Sequence, residues 1–325
     1  MKFVIFFFVN VLLQNFAFAY FMPEYAVPKA ILFSLHIDCE DRAYCLAMAL
    51  EQDNFIQQVS RIIPSVVFTP TGSSLGSAVS NSDQILIYDI GDEASSNIWA
   101  RDWGPITGMD SDENNKTAYF FQYPRESAVP VINNREKILS NYVYDGIHTD
   151  TAFQFEGGNL MVGQNGQCFT GVDGKGIVKF PDYYEKRRQI LLATGCREVY
   201  FLKNPEGERT GHIDVYVKII SENKVILADY DRASSKAFMQ ENEELLKQLN
   251  YEVVRIRNPS TLTEMLTYVN SLIIGKNAFV PIYNHEYDDS ALSVYRELGF
   301  EVTPIPLKEI IKLHGALRCM TAPLF

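Results

Sequence analysis

Short apolar runs rich in Val, Ile, Tyr and Phe recur along the chain, each closed by Gly, Pro, Asn or Asp. Such runs read as strands. They predict strands over Ser65–Thr69, Gln84–Ile90, Thr117–Tyr123, Val215–Ile220, Val225–Asp229, Glu252–Ile256, Ala278–Ile282 and Glu301–Ile305. Helical spacing predicts helices over Ala43–Ile62, Tyr184–Ala193, Ser234–Leu249, Thr261–Tyr268 and Ser290–Leu298. The 234–249 segment is the clearest, opening on serines able to cap and carrying Phe238, Leu245, Leu246 and Leu249 on one side. Strands and helices alternate with no Pro- or Ser-rich linker, so the pattern predicts one compact α/β domain. The stretch Asp110–Lys116 is polar and reads as a loop.

Residues 1–19 depart from this pattern. Lys2 is followed by the apolar run Phe3–Leu13 and then by Ala17-Phe18-Ala19. A basic start, a short apolar stretch and an Ala-x-Ala end mark a cleaved secretory signal, leaving a single domain over 20–325. The run is too short to span a bilayer comfortably, and no other stretch is long and apolar enough. The expectation is a secreted or otherwise exported protein with no membrane span after cleavage. An oxidising compartment bears on the five cysteines, Cys39, Cys45, Cys168, Cys196 and Cys319, which permit two disulfides and one free thiol. Their pairing stays open at this stage.

Composition narrows the partners. The 325 residues are 47% hydrophobic, enough for a large core, and the formal net charge is -11. An acidic chain lacks the clustered Lys and Arg that phosphate backbones require, which argues against a nucleic-acid partner. It suits cationic small molecules or basic peptides.

Four segments carry residues that could do chemistry. Trp99-Ala100-Arg101-Asp102-Trp103-Gly104-Pro105 holds both tryptophans of the chain. An acid between indoles suits a cation, because aromatic faces attract positive charge. Its bland alternative is an Arg101–Asp102 ion pair among packing rings. Glu156-Gly157-Gly158-Asn159 lets the backbone pass close to a ligand or another segment, or forms a simple turn. In Thr210-Gly211-His212-Ile213-Asp214, strand alternation would put His212 and Asp214 on one face, as acid/base and cation anchor or as a satisfied core pair. Gly315–Thr321 centres on Cys319 beside Arg318, whose charge would favour the thiolate; a lone buried cysteine is the ordinary alternative. His36, His148, His285 and His314 are scattered, and no metal-ligand cluster stands out.

Taken together, the segments fit one chemistry. A guanidinium is flat, always charged and matched by carboxylates. Its carbon is a poor electrophile, so attack needs a thiolate, and one histidine can protonate the leaving ammonia and then activate water. That reaction needs no metal or organic cofactor.

The same segments carry a resemblance. Trp-x-Arg-Asp-x-Gly-Pro at 99–105, Glu-Gly-Gly-Asn at 156–159, Gly-His-Ile-Asp at 211–214 and Ala-Leu-Arg-Cys at 316–319 occur in the order seen in the bacterial-type (Porphyromonas-type) peptidylarginine and agmatine deiminases. Tyr268–Ile274 and Phe279–Tyr283 resemble further stretches of these enzymes, which belong to the guanidino-group-modifying (pentein) superfamily. The resemblance implies a five-bladed α/β propeller of pseudo-symmetric ββαβ units. It implies Cys319 as nucleophile, His212 as general acid/base, Asp102 and Asp214 as the guanidinium clamp, Asn270 as a catalytic asparagine and Glu156 as a substrate-side acid. Trp99 belongs to the same binding segment.

The substrate depends on two arginines. Arg318 stands where many of these enzymes have His, and could depress the Cys319 pKa, meet a substrate carboxylate, or do neither. Phe120–Arg125 resembles the peptide-acting branch more than the agmatine branch, with Arg125 as a carboxylate partner. The expected substrate is therefore peptidyl arginine, C-terminal for preference, converted to citrulline and ammonia. The alternatives are agmatine, giving N-carbamoylputrescine, an amidinotransferase, and a non-catalytic guanidine-binding protein.

Overall fold

The alternation of short strands and helices resolves into a repeated unit. Val217–Ser221 pairs antiparallel with Lys224–Asp229, the helix Ala233–Gln248 crosses over, and Glu252–Arg257 returns parallel to Lys224–Asp229. The same ββαβ order is built from Met161–Val162, Gln167–Val172, the helix Asp182–Thr194 and Glu198–Lys203. It recurs in Leu272–Ile274, Asn277–Ile282, the helix Asp288–Glu297 and Glu301–Pro306. Ile106–Met109, Lys116–Gln122 and Gly146–Gln154 repeat the antiparallel-then-parallel pairing, with Tyr20–Phe21 on the outside. The last unit joins the two ends of the chain. Thr321–Leu324 pairs antiparallel with Ala30–Ser34, the helix Arg42–Ser60 follows, and Ser65–Thr69 and Ile85–Asp89 continue in parallel.

These five sheets come from a computed structural model that describes residues 20–35, 42–69, 82–89, 97–110, 115–122, 144–172, 182–259 and 266–325. The expected signal, Cys39, His36 and Arg125 lie outside the described residues. Among the described residues no helix is long and apolar enough to cross a membrane.

Helices cover the sheets through one face each. The helix 233–248 buries Ser235, Met239, Asn242 and Leu246, while Phe238, Leu245 and Leu249 pack at the margin of the same core. Burying a Met or Leu side chain contributes roughly 1.5–3 kcal/mol. Asn242 is tolerated there because its amide accepts from Lys203 N and donates to Lys203 O, both at 2.8 Å, stitching this helix to the neighbouring unit.

Most predicted strands and helices are present with ends shifted by a few residues, but Ala30–Ser34, Gly146–Gln154, Gln167–Val172 and Glu198–Lys203 were not predicted, nor was the first strand of nearly every unit. Those first strands have two to five residues, as in Met161–Val162 and Leu272–Ile274, too few for a period to show. Leu266–Tyr268, read as the end of a helix, is not helical, and residues 260–265 lie outside the described set. The strand expected from Val215 begins at Val217, because Ile213–Val215 forms a 3-10 turn.

The segment leading into each first strand recurs as a place for functional groups. Ala100–Trp103, Gly157–Asn159, Ile213–Val215, residues 269–271 and residues 317–320 each enter one of the five sheets.

Cys168 and Cys196 form a disulfide, Cys45 is also disulfide-bonded, and Cys319 is free. The Cys168–Cys196 link closes a loop of sequence separation 28 around the helix 182–194. Replacing both cysteines by serine should lower the unfolding free energy by about 3 kcal/mol, the loop-closure entropy released to the unfolded chain. An unchanged denaturant midpoint would contradict that assignment.

Candidate active site

Backbone closeness sets the geometry. A Cβ on Gly157 would sit 2.2 Å from Arg101 O, and one on Gly158 would sit 2.5 Å from His212 Nδ1 and 2.6 Å from Asp102 Oδ1. Only glycine lets the 157–159 turn approach the other segments this closely. The turn reading and the close-approach reading of this pair are therefore both correct. Gly158 N donates to Asp102 Oδ1 at 3.0 Å, which helps hold a carboxylate that is otherwise buried.

Asn270 positions the thiol. It is fully buried, and its Nδ2 lies 3.2 Å from Cys319 Sγ and 3.2 Å from Asp214 O. Its Oδ1 accepts from Arg318 N at 3.0 Å and Cys319 N at 3.2 Å. The Asn270 turn is itself braced. Tyr295 Oη donates to Tyr268 O, Tyr283 Oη donates to Thr267 O, and Thr267 Oγ1 donates to Val215 O, at 2.8, 2.8 and 2.7 Å. This gives a physical reason for Tyr283 in the Phe279–Tyr283 stretch.

Cys319 Sγ is 3.6 and 3.9 Å from the two Asp214 oxygens. Burial pushes the thiol well above its ordinary pKa, and the Asp214 and Asp102 charges add to that, against the Asn270 hydrogen bond. The neighbouring Arg318 does not make it a thiolate.

His212 lies between acids. Its Nε2 is 2.8 Å from Glu156 Oε2 and its Nδ1 3.6 Å from Asp102 Oδ1. Burial alone would lower the imidazole pKa, but Asp102 and Glu156 outweigh it and raise the value, so the ring is held protonated. Burial raises Asp102 as well, against the attraction of His212. Strand alternation is not what brings His212 and Asp214 here. The 3-10 turn sends His212 to Asp102 and Glu156, and Asp214 to Cys319. Asp102, Glu156 and His212 could also hold a metal ion by spacing alone, their ligand atoms lying within 4.8 Å of one another.

Arg318 corrects the expectation that it contacts substrate. It is 2% exposed and its guanidinium is already engaged through four hydrogen bonds. Nε and Nη2 donate to Glu24 at 2.7 and 2.9 Å, Nη1 to Asp214 Oδ2 at 2.8 Å, and Nη2 to Leu160 O at 2.9 Å. Lys218 Nζ adds a further donor to Glu24 at 3.0 Å. The Arg318 and Lys218 charges hold the Glu24 carboxyl well below its usual range despite its burial. Glu24 had no signal in the sequence, being a lone acid between Pro23 and Tyr25 far from every motif.

The tryptophans differ. Trp103 is buried, stacked on Phe68 at 6.0 Å and hydrogen-bonded through Nε1 to Asn97 O, so it belongs to the core. Trp99 is partly exposed and packs on Gly315, where a Cβ would lie 2.5 Å from its ring. Trp99 thereby abuts the loop that carries Cys319. The Arg101–Asp102 ion pair is absent; Asp102 turns instead to Gly158 and His212.

No curated protein sequence matches the chain. Among solved structures, an agmatine deiminase from C. jejuni superposes with TM-score 0.78 at 17% identity, covering 97% of this chain and 98% of that one. A Porphyromonas gingivalis protein assigned as an arginine deiminase gives TM-score 0.78 at 22% identity, covering 94% and 98%. DDAH from Pseudomonas aeruginosa gives TM-score 0.56 at 13% identity, covering 92% and 100%. These likenesses show the pentein fold that the five sheets had suggested. The profile of the Porphyromonas-type peptidyl-arginine deiminases matches residues 42–324. The chain therefore belongs to the Porphyromonas-type peptidyl-arginine deiminase family, hydrolases acting on C–N bonds of guanidino groups.

Proposed function

We propose that the protein hydrolyses the guanidinium of an arginine substrate to a ureido group and ammonia through a covalent intermediate on Cys319. The observation that carries this reading is a free, buried thiol held by Asn270 against Asp214, with a protonated His212 between two further acids. The site is anionic before substrate arrives, and a guanidinium supplies the missing charge. Asp102 and the remaining oxygen of Asp214 clamp it, each charge-assisted contact contributing roughly 1.5–3 kcal/mol. With the cation beside it, the Cys319 thiol releases its proton to solvent.

The thiolate then attacks the guanidinium carbon, forming a C–S bond. His212 gives its proton to the departing nitrogen, the C–N bond breaks and ammonia leaves. The neutral His212 takes a proton from water as its oxygen attacks the thiouronium carbon. The C–S bond then breaks as the proton of the new hydroxyl passes to sulfur, returning the thiol and releasing the ureido product. Glu156 steadies the imidazolium at both proton transfers. In the neighbouring structures, the substrate-bound agmatine deiminase of C. jejuni is a Cys-to-Ser variant, which accords with a cysteine nucleophile.

The preferred substrate is a C-terminal arginine of a peptide, giving citrulline, in an exported enzyme. The family profile, the signal-like 1–19 segment, the net charge of -11 and the disulfides support this. Agmatine is the second reading. It is favoured by the fact that Arg318 is spent on Glu24 and Asp214, which leaves Arg125 as the one named partner for a substrate carboxylate.

Three outcomes are expected. Cys319→Ala should fold normally yet lose ammonia release by at least about a thousand-fold, whereas a non-catalytic binder would show no turnover to lose. Retained turnover in this variant contradicts the mechanism. Because the empty-site thiol pKa is raised, its ionised fraction grows with pH, while the raised His212 pKa keeps the acid in place. Log kcat/KM should therefore climb by about one per pH unit from roughly pH 6 to 8, with kcat levelling earlier; a flat kcat/KM profile contradicts this. Ammonia release should be faster with a C-terminal-arginine peptide than with free arginine or agmatine, and Arg125→Gln should slow only substrates bearing a carboxylate. A large preference for agmatine would instead establish the second reading, and product formation only with an added amine acceptor would indicate amidino transfer.

A further inference from the structure

A cavity of about 50 Å³ is lined by Ile106, Leu160, Ile273 and Pro323 from around four of the five sheets, and by Met22, Pro23, Ala26 and Pro28 from the segment ahead of Ala30–Ser34. Neither Cys319, His212, Asp102 nor Asp214 lines it, but the guanidinium-bearing Arg101 and Arg318 do, with Glu24. Arg318 is fully paired. Arg101 is not: its Nε–H is buried with no acceptor, and among the described residues no carboxylate forms an ion pair with it.

The local charges do not balance. Three cations, Arg101, Arg318 and Lys218, face two carboxylates, Glu24 and Asp214, and both carboxylates are taken by Arg318 and Lys218. Burial and the Arg318 charge lower the Arg101 pKa to about 10, against the attraction of the Glu24 and Asp214 carboxylates. Arg101 as a whole is only partly buried, but proteins do not ordinarily leave a buried donor such as its Nε–H without an acceptor.

We propose that this cavity is an anion site in which Arg101, with Arg318 behind it, holds a small inorganic monoanion of the halide class. The volume has room for one such ion with a water or two. Walls of Pro, Ile and Leu offer few further donors, which suits a weakly hydrated halide and excludes phosphate, whose greater charge needs more. An occupant would also steady the catalytic segment. Arg101 N donates to Cys319 O at 3.1 Å, and its chain neighbour is Asp102.

Bromide is the probe, because its anomalous scattering identifies it. Crystals of the full chain grown in sodium bromide should show an anomalous peak at hydrogen-bond distance from the Arg101 guanidinium. Water alone at that place, or bromide only on the outer surface, overturns the proposal. In solution, the thermal unfolding midpoint should rise and saturate with sodium chloride, relative to sodium gluconate at equal ionic strength, since gluconate is too large to enter. Arg101→Met should abolish the difference. Ile273→Phe, which fills the cavity and keeps Arg101, should abolish it too and serves if Arg101→Met fails to fold. Equal response to the two salts in the unmodified protein, or an undiminished chloride effect in Ile273→Phe, also overturns it. Neither readout uses turnover, so failure here leaves the deiminase reading standing.

Discussion

A carboxylate buried as completely as Asp214 needs a fixed partner, and that partner is the protein's own Arg318. Arg318 is in turn oriented by the two oxygens of Glu24, which also receives Lys218. The chain of charge therefore runs from the segment just ahead of Ala30–Ser34, through the residue before Cys319, to the acid that faces the thiol. Removing one member of such a pair typically costs about 3–5 kcal/mol, because the partner is left charged and buried. Both ends of the polypeptide are thus committed to the site, and the pairing of Thr321–Leu324 with Ala30–Ser34 holds them together.

The empty site is poised rather than active. The thiol is kept neutral by burial and nearby acids, and the imidazole is kept charged by two of them. Both conditions favour a cationic ligand. In the proposed mechanism the thiol ionises only when a guanidinium is present, so that it reacts with substrate and is shielded from other electrophiles and oxidants. This ordering follows from the excess of carboxylates over cations on the substrate side.

What could be read from the sequence was the set of candidate residues that the fold brings together; most of what could not be read was their support. Cys319, His212, Asp102, Asp214, Glu156 and Asn270 stood out because they lie in short motifs, and the fold brings them together. The first strands were invisible because two to five buried residues show no period. Glu24 and Lys218 were invisible because an ion pair across the fold leaves no local trace. Arg318 was misread for a related reason: adjacency to Cys319 in sequence suggested a role on the thiol, whereas its side chain points to Glu24 and Asp214. The 211–214 motif was read as a strand when a 3-10 turn does the work of separating His212 from Asp214.

The covalent intermediate is the central claim, and mass spectrometry tests it most directly. Enzyme mixed with excess arginine substrate and quenched in acid within one turnover should yield a Cys319-bearing peptide heavier by the substrate mass less ammonia. The increment should vanish as substrate is exhausted. An unmodified Cys319 during sustained ammonia release, or the increment on another residue, would contradict the account.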